Sequence, residues 1–319
     1  MEVEANIEEK APVKTQKGPL GSRIAAFIID FIVLGIIGLI LGLIFKSFFV
    51  QLAWHGVLVG WIITTIYFTC GNSIIFKGST IGKEFMGIKV VDYKSQYLTP
   101  FFAIKRSLLF TTPYFLLEYF QSFFDHYYLS ILLSIITLSY YIGLVYFLLV
   151  NKISKQSIHD ILAKTVVVNK TNEDSCKPRS ITQSKIIGFV SIVIVLWGAM
   201  FSVGYSFVDS SNLQEVFDEN KETLFEIASE LTENEQVLFV EKTQINITIE
   251  SEVGIIVELT TSKDFDDIDE ERFKEEVFDV IKRKCFNLQR IDYAEVIMNY
   301  GYDIGIWSTN YSKTWTIRN

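Results

Sequence analysis

The chain has 319 residues, half of them hydrophobic, with 26 Phe, a mean hydropathy of +0.30 and a formal charge of −8. That charge is unevenly divided: residues 1–207 hold 18 Lys/Arg against 12 Asp/Glu, and residues 208–319 hold 11 against 25. A basic apolar part followed by an acidic polar one excludes a water-soluble globule throughout, disfavours nucleic acid as a partner, and points to a membrane domain followed by a soluble domain.

Residues 1–22 are polar and mostly charged, without the short apolar core of a signal peptide, and read as a flexible cytoplasmic tail. Five runs then have the length and apolarity to cross a bilayer: Ile24–Phe45, Leu52–Cys70, Ser107–Phe124, Tyr127–Val150 and Ile186–Val208. The third contains Pro113 and Glu118, with Lys105 and Arg106 marking its start, so it is a kinked or tilted span or a helix lying in the interface. Gly35, Gly38 and Gly42 form a small-residue stripe on the first helix, suited to close packing. Trp54, Trp61, Tyr119, Tyr127 and Tyr128 suit interfacial anchoring.

The first span carries Arg23 at its lip and Asp30 inside it. Seven residues make about 700° of helical rotation, which puts the two on one face about 10 Å apart, too far for easy contact. An aspartate at a helix centre costs about 2.5–3.5 kcal/mol on the insertion scale, while each Leu, Ile, Phe or Val returns about 0.3–0.6. The span has sixteen such residues, so insertion is favourable and the aspartate needs a partner. A candidate is Asp160, in the amphipathic segment SIHDILAKTVVV at residues 157–168, whose β-branched end reads as a strand.

Arg23, Asp30 and the His159–Asp160 pair, with STIGKEFMGIKVVD at residues 79–92 between them, resemble the RDD family of bacterial membrane proteins over residues 18–170. Arg106 falls where that family commonly has a further arginine, and Lys164 stands where a glycine is expected. The resemblance implies a small helical bundle in the cytoplasmic membrane; cation–proton exchange has been suggested for some members. In the same segment, Gly78 and Gly82–Lys83 fall one residue short of a phosphate loop, and Glu84 replaces its Ser/Thr, so the glycines read as turns of a cytoplasmic hairpin. GIKVVD and YLT are its expected strands, with KSQ turning between them.

Basic residues concentrate in 72–106 and 151–185, which places both segments and the N-terminus in the cytoplasm and, after five crossings, residues 209–319 outside. Cys70, Cys176 and Cys285 then share no aqueous compartment, and His55, His126 and His159 stand apart, so neither a disulfide nor a metal cluster is expected. His159 reads as a hydrogen-bonded structural residue. The resemblance implies a bacterial chain, in which the Asn246–Ile247–Thr248 sequon would have no meaning.

Beyond the fifth span, residues 212–234 read as an amphipathic helix through Leu213, Val216, Phe217, Leu224, Ile227 and Leu231. Strands are expected at 237–250 and 254–261 around a turn at Glu252–Gly254, then a helix opened by an aspartate at 264. Two or three strands follow, over Tyr293–Tyr300, Asp303–Thr309 and Thr314–Arg318. The acidic cluster from Asp264 to Glu271 lacks the glycine and glutamate of a calcium loop.

The expectation is an α-helical transmembrane bundle with four core spans and a fifth tethering helix, followed by a C-terminal soluble α+β domain. Its divisions are the tail at 1–22, the bundle at 23–170, a linker at 171–185, the fifth helix at 186–208 and the outer domain at 209–319. No enzymatic constellation, cofactor site or metal site is visible. One functional reading is transport of a cation or proton, with Asp30 as the binding group beside Arg23 and Asp160, supported by Arg106, His159 and Lys83. The other is a non-catalytic anchor, sensor or assembly partner in which these charges hold the bundle in register and the outer domain binds a protein or ligand.

Overall fold

The computed structural model describes residues 20–123, 127–151, 155–171, 183–209, 213–247, 253–285 and 292–318. Most of the N-terminal tail, His126, Cys176, most of the 171–185 linker, the turn residue Glu252 and the end of the sequon lie outside the described residues. The chain forms two compact units, one from Met1–Ile36, Ile62–Leu117 and Tyr127–Ser191, the other from Ile37–Trp61, Glu118–His126 and Ile192–Asn319.

Helices stand at all five apolar runs: α1 (Leu20–Leu52), α2 (Gly56–Asn72), α4 (Pro100–Phe123), α5 (Tyr127–Val150) and α7 (Gln183–Asp209), with the short α3 (Ile81–Phe85) after α2. Among the described residues, two helical stretches are long and apolar enough to cross a membrane, Leu20–Asn72 and Leu132–Val150. The α4 helix begins earlier than the sequence implied. Pro100 takes the first helical position, where its fixed φ fits and its missing N–H costs nothing, so Arg106 lies within the helix instead of marking its start. Inside α4, Pro113 cannot donate to the Leu109 carbonyl. The Tyr140 hydroxyl of α5 donates to that carbonyl instead, and Thr137 donates to the Pro113 carbonyl at 3.4 Å.

In the first unit, β1 (Ile88–Asp92) pairs antiparallel with β2 (Thr165–Asn169), Val90 opposite Val167. The expected pairing of β1 with residues 97–99 does not form. The other side of β1 is occupied, because the Val90 N–H donates to the Gly78 carbonyl and the Ser79 hydroxyl donates to the Ile88 carbonyl. The KSQ turn does form, tied by the Asp92 carboxylate to the N–H groups of Lys94 and Gln96, and Leu98 bridges to Ser73. One face of the pair packs Ile88, Val90 and Val167 on Ala26, Leu98 and Ala103, which fastens the start of α1 and α4 to the strands.

The second unit has a four-stranded sheet in the order β3-β4-β5-β6, formed by β3 (Val237–Ile247), β4 (Val253–Thr261), β5 (Tyr293–Asp303) and β6 (Ser308–Arg318). β4 and β5 run parallel, joined through α9 (Glu270–Cys285); the other pairs are antiparallel. Residues 303–309 are mainly the β5–β6 turn and not a separate strand, since Asp303 Oδ1 accepts the Gly305 N–H at 2.6 Å and closes it. The expected helix at 264 starts at Glu270 after a 3₁₀ turn at Phe265–Asp267, and Asp269 supplies its cap. α8 (Leu213–Thr232) and α9 cover one sheet face through Leu224, Ile227, Leu231, Phe273, Val277 and Ile281. Each such fully buried side chain contributes roughly 1.5–3 kcal/mol.

Successive even-numbered residues of β5 share a face. Ala294, Val296 and Met298 lie in the helix-covered core, whereas Tyr300 and Tyr302 meet Phe49 and Val50 of α1. Gly42 admits this contact: a Cβ there would collide with the Tyr302 hydroxyl, and one at Gly38 would collide with Trp307. Two members of the glycine stripe, Gly38 and Gly42, are therefore matched to the β5–β6 hairpin and not to a second helix, while a Cβ at Gly35 would meet nothing.

Candidate functional site

Asp30 is buried, 1% exposed, on the face of α1 that also carries Ala26. Its carboxylate accepts from the Tyr67 hydroxyl at 2.6 Å, the Thr80 hydroxyl at 2.6 Å and the Gly82 N–H at 2.8 Å. Thr80 is the N-cap of α3, so the polar start of that one-turn helix is presented to α1. Close approach is what requires glycine at 82, because an added Cβ would collide with the Ala26 carbonyl oxygen. Gly82 is thus a packing residue in a helix, and only Gly78, at φ +74°, serves the turn that the sequence implied for both.

Asp160 forms a second centre. It lies in α6 (Ile158–Leu162), where it is the third helical residue of a capping box with Ser157. Its Oδ1 accepts from Arg106 Nη2 at 2.6 Å, and its Oδ2 accepts from Ser157 Oγ at 3.0 Å and faces Arg23 Nη1 at 3.5 Å. Arg23 also donates to the backbone carbonyls of Lys155 and Val167, and Arg106 Nε donates to Thr165 at 3.2 Å. These two arginines join α1, α4, α6 and β2 around one carboxylate.

His159 Nε2 lies 3.0 Å from Arg106 Nη2, and its Nδ1 lies 3.0 Å from Ser157 Oγ. A guanidinium only donates, so Nε2 accepts and the proton sits on Nδ1. Burial pushes the His159 pKa down to about 3, with Arg106, Lys83 and Arg23 adding to the effect against the pull of Asp160. Burial alone would raise the Asp160 pKa; the permanently charged guanidiniums of Arg106 and Arg23 outweigh it and hold the carboxyl well below the usual range. Lys83, on α3, donates to Asn72 Oδ1, and burial together with the Arg106 charge lowers its pKa to about 7.

The sequence implied one cluster of Arg23, Asp30 and Asp160. All six candidate residues, with Arg106, His159 and Lys83, do line a single cavity of about 330 Å³. Their pairing is different. Asp30 makes no ion pair among the described residues and is held by neutral donors, while Arg23 spans to Asp160. The partners that sequence reasoning missed are Tyr67, Thr80, Gly82, Asn72, Ser157 and Thr165. Thr80 and Gly82 stood in the quoted 79–92 motif; Tyr67, one aromatic among many in an apolar run, carried no signal.

Lys164 takes φ +57°, the left-handed conformation that the expected glycine would adopt, so the turn into β2 is kept despite the departure. The RDD family model matches residues 17–164. No curated protein and no solved structure gave a match to the chain.

Proposed function

Because residues 17–164 are an RDD family domain, and hence a membrane domain, we propose that the chain is a non-catalytic, multi-pass anchor of the cytoplasmic membrane that presents its acidic sheet domain to a partner. In this reading α1, α2, α4, α5 and α7 all cross the bilayer, the N-terminus is cytoplasmic and the sheet domain is outside. The unit that holds the sheet domain also takes Ile37–Trp61 and Glu118–His126, which contain the two connections that five crossings would leave outside together with the adjoining span ends. Exposed apolar side chains along the helices, such as Phe31, Leu43, Ile62 and Val145, fit contact with lipid.

The observation that carries the anchor reading is that both buried carboxylates are saturated from within the chain. Asp30 accepts three short hydrogen bonds from α2 and α3, and Asp160 is bound by two arginines and its own cap. Such an arrangement fastens helices and the β1–β2 pair together and leaves neither carboxylate free for a travelling ion. For the sheet domain, a cleft lined by Glu241, Glu258 and Asp303 supports a cationic partner.

The alternative is transport of a proton or cation, favoured by the cavity that touches both Asp30 and Asp160. Asp30→Asn separates the two. The anchor reading expects a fall of about 1–3 kcal/mol in stability, since one acceptor of three charge-assisted bonds is weakened. It also expects no ion or proton flux above empty liposomes for either wild type or variant. Wild-type flux that disappears in an Asp30→Asn protein of unchanged melting temperature would overturn it.

A further inference from the structure

The cavity beside the two carboxylates has features that the anchor role does not use. Its floor sets three cations, Arg23, Lys83 and Arg106, against two carboxylates, Asp30 and Asp160. His159 is held neutral there, so the floor carries one surplus positive charge when Lys83 is protonated. Asn72 lines the same cavity with its side chain fully buried, and its Nδ2 has no hydrogen-bond partner among the described residues. Lys83 spends one donor on Asn72 Oδ1, and an ammonium has three. The unspent polar capacity is therefore donor capacity and calls for an acceptor.

The walls are of the opposite character. Phe68, Phe110, Leu144 and Leu148 rise from the floor. At the rim, Ile24 and Phe27 of α1 and Val145 of α5 are about half exposed, at 50%, 48% and 57%. In a membrane domain an apolar rim on two helices opens to acyl chains, not to water. About 330 Å³ accommodates a polar head and the first methylenes of its chain, with the remainder of the chain left in the bilayer.

We propose that this cavity is a binding site for an anionic membrane lipid, whose acidic head meets Lys83 and Asn72 while its chain leaves between α1 and α5. Zwitterionic lipids would bring a second cation to a floor that already has an excess, so the site discriminates by headgroup charge. An anion there would also restore the charged form of Lys83, which burial now opposes. The proposal rests on the membrane reading of α1 and α5 and is independent of the anchor reading, which flux and melting test separately.

The test uses the full chain in nanodiscs of phosphatidylcholine doped with phosphatidylglycerol, with retained lipids counted by native mass spectrometry. Wild type is expected to retain phosphatidylglycerol at least about tenfold over phosphatidylcholine after correction for composition. Lys83→Met should reduce that preference below about twofold. Val145→Trp, on the exposed face of α5, should abolish retention of both lipids by filling the mouth, with the melting temperature unchanged. It keeps the test decisive if Lys83→Met unfolds. No phosphatidylglycerol preference in wild type, or a preference intact in Val145→Trp, overturns the proposal. Glycerol phosphate and inorganic phosphate form the soluble arm: displacement of the lipid by either at micromolar concentration also overturns it and reassigns the site to a soluble anion.

Discussion

At Asp160 a carboxylate faces two guanidiniums; at Asp30 another faces two hydroxyls and an amide. Burying either charge unaided would cost several kcal/mol, and each is compensated by donors from other elements. His159 sits beside Arg106 and Ser157 at the Asp160 centre as a neutral ring, and that neutrality has a measurable consequence. Its pKa is about 3 when folded and near 6.5 when unfolded, so between these values the unfolded chain binds the extra proton. Stability is therefore expected to fall as pH is lowered below 6.5, with a slope of at most about 1.4 kcal/mol per unit. Denaturation of the detergent-solubilised protein between pH 6.5 and 4.5 measures it, in a window above the titration of Asp160. The slope should flatten in His159→Gln, and an unchanged slope would remove the imidazole as its source. Lys164 shows the opposite economy, a residue in a left-handed turn that costs roughly 1–2 kcal/mol more for it than for glycine.

Among the elements, α4 and α5 depend on one another through a defect. Pro113 leaves the Leu109 carbonyl without its helical donor, and the Tyr140 hydroxyl replaces it. Tyr140→Phe should destabilise the domain by about 1–3 kcal/mol, the cost of an unsatisfied buried carbonyl. In a Pro113→Ala background the same change should cost little, because the new N–H serves Leu109. Unfolding measurements on the four proteins of this cycle decide it, and additive effects would show that the two residues are not coupled. The proline was legible in the sequence, but the tyrosine that answers it was not. Helices and strands follow local periodicity, which is why helices stand at all five apolar runs and β2 emerged nearly in place, although α4 starts seven residues before its run and α1 extends seven residues past its own. Partner choice is a matter of tertiary distance. This explains why β1 was expected to pair with nearby residues 97–99 and pairs instead with β2, more than seventy residues on. The same gap separates the expected Arg23–Asp30–Asp160 cluster from the two centres that form: charge and spacing marked the residues, while hydroxyl donors such as Tyr67 have no spacing to mark them.

At the scale of the whole molecule, the second unit gathers the latter part of α1 with a sheet made from the end of the chain. Among the glycines described in that unit, Gly42 leaves the least room for a side chain, because its Cβ would fall on the Tyr302 hydroxyl. Gly42→Val should destabilise the unit by about 1–3 kcal/mol through overpacking. Tyr302→Ala in the same chain should recover part of the loss by restoring room, and no recovery would mean that the two positions do not meet. The pairing also orders events at the ribosome. Tyr302 is made 260 residues after Gly42, which at about 5–20 residues per second means roughly 13–50 s of translation. Throughout that interval the glycine face of a helix already synthesised has no hairpin to cover it. Whatever shields it meanwhile, lipid or an insertion chaperone, must bind weakly enough to be displaced when the hairpin arrives.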